Sequence, residues 1–181
     1  MKENGYEDKI TVINGKMEEL KLPVEKVDII ISEWMGYCLL YESMLDSVLY
    51  ARNKYLVEGG LIFPDKAKIY IAAIDDPEFY EDKSNFWDDV YGINMKNMKE
   101  KVLREGYVEF MNKDVINSSV QLIADIDIEK IPIEDLDFCS AFDLKINKYN
   151  SSNGFIIWFD CDFSHGLENI CLSTSKPFVL T

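Results

Sequence analysis

The order of apolar patterns predicts an α/β segment followed by a β-rich domain, and three observations carry that prediction. Val27 to Ile31 is a short apolar run, broken only by Asp28 and rich in β-branched residues, as suits a buried strand of a parallel sheet. Leu45, Val48, Leu49, Arg52, Tyr55 and Leu56 then recur at helical spacing, and Leu61-Ile62-Phe63 forms a second apolar strand, so this part reads as βαβ. Beyond Pro64 the period changes to two, the mark of antiparallel strands in a barrel or sandwich.

In chain order, residues 1–26 read as a loop, a strand at residues 10–13 and a turn at Asn14-Gly15. After the first apolar strand, polarity changes abruptly at Ser32-Glu33-Trp34, and Gly36 allows the chain to turn back. Glu58-Gly59-Gly60 is expected to end the helix, as glycine does at helix C-termini. A domain boundary is placed near Pro64-Asp65, dividing the chain into residues 1–64 and 65–181. In the second part, residues 67–74 read as a strand. Val120, Leu122, Ala124, Ile126 and Ile128 alternate with polar residues, as do Phe142, Leu144 and Ile146, and then Phe159-Asp160-Cys161-Asp162-Phe163. Residues 77–111 break the β pattern with Phe79, Tyr80, Phe86, Trp87 and Tyr91, followed by Met95, Met98 and Val102 near helical spacing. Such a stripe reads as core or as an excursion that offers an interface.

The chain carries 33 acidic against 19 basic residues, a formal charge of −14. That argues against nucleic acid or an anionic membrane as the main partner and suits basic polypeptides; a solvated acidic surface is the bland reading of the same excess. Cys38, Cys139, Cys161 and Cys171 show no CxxC pairing, and buried free thiols are expected rather than disulfides or a metal site. No signal peptide and no apolar run near ~18 residues is present, which predicts a soluble intracellular protein. His165, the only histidine, reads as a strand-end residue without a partner pattern.

Two glutamates nine positions apart, Glu33 and Glu42, flank the Gly36 turn beyond a strand's carboxyl end, where open α/β sheets place ligands. Trp34, Tyr37 and Tyr41 are interleaved with them. A bare pair of this kind is more often two surface carboxylates; strand end, glycine and aromatics together bring the two readings near even.

SEWMGY followed by YESML resembles the double-glutamate loop of the protein arginine methyltransferases, type I members most of all, and the similarity continues through LYARNKYLVEGGLIFPDKAKIYIAAI into the second half. The resemblance implies the carboxyl-terminal part of a Rossmann-like methyltransferase domain followed by a β-barrel, with residues 77–111 as a helical dimerisation arm. It implies that Glu33 and Glu42 are catalytic and, with Tyr37, bind the substrate arginine. Met17, Glu18 and Met44 would meet the cofactor, S-adenosylmethionine. Taken alone, Glu18 is an ordinary solvated charge and Met44 equally the first core residue of its helix. The family's Gly-rich turn has no counterpart before Ile10, and its Thr-His-Trp loop follows the segment that residues 172–181 resemble. The chain therefore matches the middle of such an enzyme, and on its own it is expected to be inactive.

The activity implied is transfer of methyl groups to arginine in basic proteins such as histones and RNA-binding proteins, giving asymmetric dimethylarginine, in cytoplasm and nucleus, by a homodimer joined through the arm. No metal, direct nucleic-acid contact or membrane is implied. Two other classes stay open on residues alone: a non-catalytic acidic binding or dimerisation module that keeps the fold, and a different carboxylate-pair enzyme such as a glycoside hydrolase. Against the last, both glutamates lie in one short loop.

Overall fold

Residues 1–147 and 151–175 are described by the computed structural model. Strand β1 (Val27–Ile31), helix α1 (Met44–Tyr55) and strand β2 (Leu56–Phe63) form the expected βαβ unit, with β1 and β2 parallel. Ile29, Ile30 and Ile31 pair with Leu61, Ile62 and Phe63, whereas Val27 pairs with Leu56, so the register slips between them. α1 turns Leu45, Val48, Leu49, Ala51 and Tyr55 inward. It ends at Tyr55, earlier than Glu58-Gly59-Gly60: the Leu56 amide bonds to the Arg52 carbonyl while Leu56 itself is already extended. Gly59 bends the following strand instead, with φ at 75°.

Two further expectations for this part fail. Residues 10–13 form no strand, and Ile10, Val12 and Ile13 are exposed; an alternating segment holds strand geometry only when a neighbour takes its hydrogen bonds. β1 forms but is not buried. It has a single partner strand, and Ile29 and Ile31 project from it into solvent.

The barrel part contributes a four-stranded antiparallel sheet in the order β4-β3-β5-β6, built from β3 (Lys66–Ile74), β4 (Gln121–Asp127), β5 (Gly154–Phe163) and β6 (Ile170–Ser173). β3 is the central strand and pairs along its whole length with β5. Between β3 and β4 the chain leaves the sheet as α2 (Pro77–Asn85), short 3-10 turns and α3 (Lys99–Val102). Asp76 caps α2, its carboxylate accepting from the Phe79 amide at 3.0 Å, with Pro77 in the first turn. The alternation of Phe142, Leu144 and Ile146 does not become a strand: Ile146 makes one isolated bridge to Ser118, while Phe142 stands exposed. Of the four thiols only Cys161 is buried; Cys38, Cys139 and Cys171 are exposed, and among the described residues none of the four is in a disulfide. Among the described residues no helix is long and apolar enough to cross a membrane.

One core serves both parts. Trp34, Leu39, Leu45, Val48, Leu49 and Ile62 pack into the same cluster as Ala67, Ile69, Ile126, Ile128, Phe159 and Cys161. Arg52 on α1 adds a polar tie, donating to the Ile128 carbonyl at 2.6 Å and the Ile131 carbonyl at 2.8 Å. The helix that follows the glutamate loop is thus seated on the sheet beyond it.

Candidate active site

The loop between β1 and α1 starts as a continuation of the strand, the Ser32 amide donating to the Phe63 carbonyl at 3.1 Å. Trp34 and Leu39 then drive inward, 2% and 0% exposed, and hold the loop to the core. Glu33, Tyr37, Tyr41 and Glu42 point the other way. Gly36 and Leu39 exchange backbone hydrogen bonds, both at 2.9 Å. The turn itself falls on Cys38 and Leu39, whose φ values are 50° and 69°, rather than on Gly36, which has no positive φ. Ser43 at 55° brings the chain into α1. Three non-glycine residues in the left-handed region within one loop are sustained only where surrounding packing dictates the path. Buried Trp34, Leu39 and Leu45 supply that packing.

Glu33 and Glu42 are both exposed, and neither carboxylate has a hydrogen-bond or ion-pair partner among the described residues. Glu42 is nonetheless placed, because its side chain lies directly over Gly36. A Cβ built on Gly36 would meet Glu42 Cγ at 2.7 Å, Cβ at 3.0 Å and Cδ at 3.1 Å. Tyr37 and Tyr41, 61% and 80% exposed, leave aromatic faces free beside the two carboxylates.

The other expected site residues gather on α1. The Ser47 hydroxyl donates to Glu18 Oε1, and the Tyr50 hydroxyl to the Glu18 carbonyl at 3.1 Å. That Ser47 bond holds the Glu18 carboxyl below the usual glutamate range. So Glu18 is exposed yet tied, unlike an ordinary solvated charge. Met17 beside it is half-buried. Met44 stands one turn before Ser47 on the helix and is 46% exposed; Leu45, not Met44, is the first core residue of α1. Met17 and Glu18 are thereby brought to the same helix that Met44 opens.

Chemically, the loop offers two acceptor-only carboxylates and two aromatic faces, which suits a planar cation with a fork of N–H donors. Residue reasoning missed Ser47, whose link to Glu18 spans 29 positions, and the contact of Gly36 with Glu42. It also left His165 without partners, whereas its Nε2 is 2.9 Å from Glu129 Oε1 and 3.9 Å from Asp65 Oδ2. Among the described residues no group of three His, Cys, Asp or Glu side chains could hold a metal ion.

Comparison with known proteins bears on this geometry. The family described as the arginine methyltransferase oligomerization subdomain matches residues 65–178. Protein arginine N-methyltransferase 1 of Dictyostelium discoideum is 48% identical over 171 residues, covering 94% of this chain and 50% of that protein. The enzyme of the same name from Schizosaccharomyces pombe is 47% identical over 175 residues, covering 97% of this chain and 51% of its own. The chain thus spans about half the length of the curated relatives it matches. Among solved structures, the Trypanosoma brucei PRMT1 enzyme-prozyme heterotetrameric complex with AdoHcy superposes with a TM-score of 0.86 at 38% identity. The match covers 97% of this chain and 56% of that one.

Proposed function

The chain belongs to the protein arginine methyltransferase family, and on that premise we propose that Glu33 and Glu42 clamp the guanidinium of a substrate arginine during methyl transfer. The observation that carries this reading is the pair of exposed, unpartnered carboxylates on a loop whose other side is locked into the core. A guanidinium stays protonated in proteins, and its delocalised charge makes the terminal nitrogens poor nucleophiles. Two carboxylates bonded to its donors draw the positive charge toward themselves, so that electron density returns to the nitrogen that reacts. They also fix that nitrogen in line for displacement, which accounts for much of the barrier lowering. The product sheds a proton, and on this reading one of the two glutamates accepts it. Tyr37 and Tyr41 offer aromatic faces against which the guanidinium can stack.

The residues present fit the family's cofactor in part. Glu18 keeps an exposed, ionised carboxylate that suits an exocyclic amine; Met17 adjoins it in sequence, and Met44 opens the helix to which Glu18 is tied. S-adenosylmethionine, when bound, supplies an electrophilic methyl on a sulfonium. The chain's acidity, 33 acidic against 19 basic residues, supports basic, arginine-bearing substrates such as histones and RNA-binding proteins; asymmetric dimethylarginine as product and action in cytoplasm and nucleus belong to the same proposal. The excursion over residues 77–111 exposes Tyr80, Phe86, Tyr91 and Ile93, which supports a homodimer joined through it. The test is methylation of an arginine-rich peptide by the full-length protein. Glu33→Gln and Glu42→Gln are each expected to reduce turnover by roughly a hundredfold or more; near-normal rates in both would overturn the reading.

A further inference from the structure

We infer that Gly36 is the positioning residue for Glu42: the absence of a side chain at position 36 is what lets that carboxylate stand where it does. This rests on the clamp proposed above and adds to it a residue that touches neither substrate nor cofactor. Glycine is needed at a turn when φ is positive, yet Gly36 is not among the positive-φ residues, which here are Cys38, Leu39 and Ser43. Its backbone would accept alanine. What would not accept alanine is the space beside it, where the Cγ, Cβ and Cδ atoms of Glu42 lie 2.7, 3.0 and 3.1 Å from the methyl position. These are the root and middle of the side chain rather than its tip, so a methyl group displaces the whole of Glu42.

Neither partner can retreat. Gly36 is buried, and its N–H and C=O are both bonded to Leu39 at 2.9 Å, itself 0% exposed. On the other side the Ser43 amide donates to the Leu40 carbonyl at 3.0 Å, and Leu45 is 1% exposed. The backbone on both sides of Glu42 is hydrogen-bonded, so relief comes chiefly by rotating Glu42 about its Cα–Cβ bond, which carries Cγ and Cδ out of the notch, while Cβ, which that rotation leaves in place, gives by a few tenths of an ångström. The three atoms nearest the notch all belong to Glu42 and none to Glu33, which lies three residues earlier. Gly36 thus sets the reach of one arm of the clamp independently of the other.

The experiment has two arms. In the full-length protein, Gly36→Ala is expected to lower turnover on an arginine-rich peptide by roughly a hundredfold, with S-adenosylmethionine affinity unchanged. Glu42→Gln, severe alone, is expected to add less than about threefold in the Gly36→Ala background, because the carboxylate has already left the site. Independent, multiplying losses would overturn the inference, as would full activity of Gly36→Ala. The second arm needs no activity. A crystal structure of Gly36→Ala should show Glu42 in a new rotamer over an unmoved Tyr37-Cys38-Leu39 turn. Any thermal stability that Gly36→Ala loses should be largely restored by adding Glu42→Ala, which removes two of the three crowded carbons. An unmoved Glu42, or no restoration, overturns the inference even where Glu42→Gln and Glu33→Gln leave turnover intact and the clamp itself has failed.

Discussion

Asp65 and Glu42 are both carboxylates beside the same core, and they are held in opposite ways. Asp65 is fully buried at the junction of the two parts, and the protein consumes its bonding capacity. Its Oδ1 accepts from the Ser164 amide at 2.6 Å and its Oδ2 from the Ser164 hydroxyl at 2.5 Å. Its backbone also bridges two strands, the N–H donating to the Asp162 carbonyl and the C=O accepting from the Ile128 amide. Glu42 is exposed and unbonded; it is located by packing on its methylenes alone. A carboxylate satisfied by hydrogen bonds is part of the scaffold, whereas one fixed by its stem and left bare at its oxygens is available to a cation from outside.

Removing each in turn tests that contrast. Asp65→Ala leaves the part-buried Ser164 amide and hydroxyl without their acceptor and should cost about 2 kcal/mol in urea denaturation. Glu33→Ala and Glu42→Ala should each stay within about 0.5 kcal/mol of the native chain. Equal losses at Asp65 and Glu42 would collapse the distinction. Next in size is Arg52→Ala, which releases the Ile128 and Ile131 carbonyls; being partly solvated, the tie should be worth roughly 1 kcal/mol by the same measurement. The thiols extend the comparison from carboxylates to sulfur. Burial pushes the Cys161 thiol up to about 12, so it should resist a thiol reagent at neutral pH in the folded chain while Cys38, Cys139 and Cys171 react. Early labelling of Cys161 would show that the core opens readily. The smallest effect concerns Glu18. Its folded carboxyl lies below the ordinary glutamate range, so the tie to α1 is complete above about pH 4.3 and is lost as pH falls through the lowered folded value. Ser47→Ala should return that titration toward the ordinary range by NMR, and no change would mean that Ser47 does not hold it.

What was legible in the residues follows from range. α1 and the alternation that became β4 and β5 are local patterns of period 3.6 or two that mark a core face, and β1 was legible as a short β-branched apolar run although its burial was not. The glutamate loop was legible because a polar break after an apolar strand is itself local. The Asp65–Ser164 bond joins residues 99 positions apart and the Ser47–Glu18 bond 29, and no period marks either. The early end of α1 was missed because Leu56 continues the apolar spacing while its backbone has already become extended to meet Val27. Residues 10–13 and 142–146 show the converse: alternation states a willingness to pair, and pairing needs a neighbour. The role of Gly36 was misread for a related reason. A glycine in a loop suggests a turn, and the crowding of Glu42 against Gly36 joins residues six positions apart that no local pattern marks.

The core that runs through Pro64-Asp65 has a consequence for how the chain comes apart. Trp34, Leu45 and Leu49 belong to one buried cluster with Ile69, Ile126 and Phe159, so loss of packing in one set exposes the other. The change from parallel to antiparallel strands marks a seam in topology that is absent in energetics. A single calorimetric transition is expected, and a protease should cut at the solvent-facing excursion between β3 and β4 before it parts the chain at residue 64.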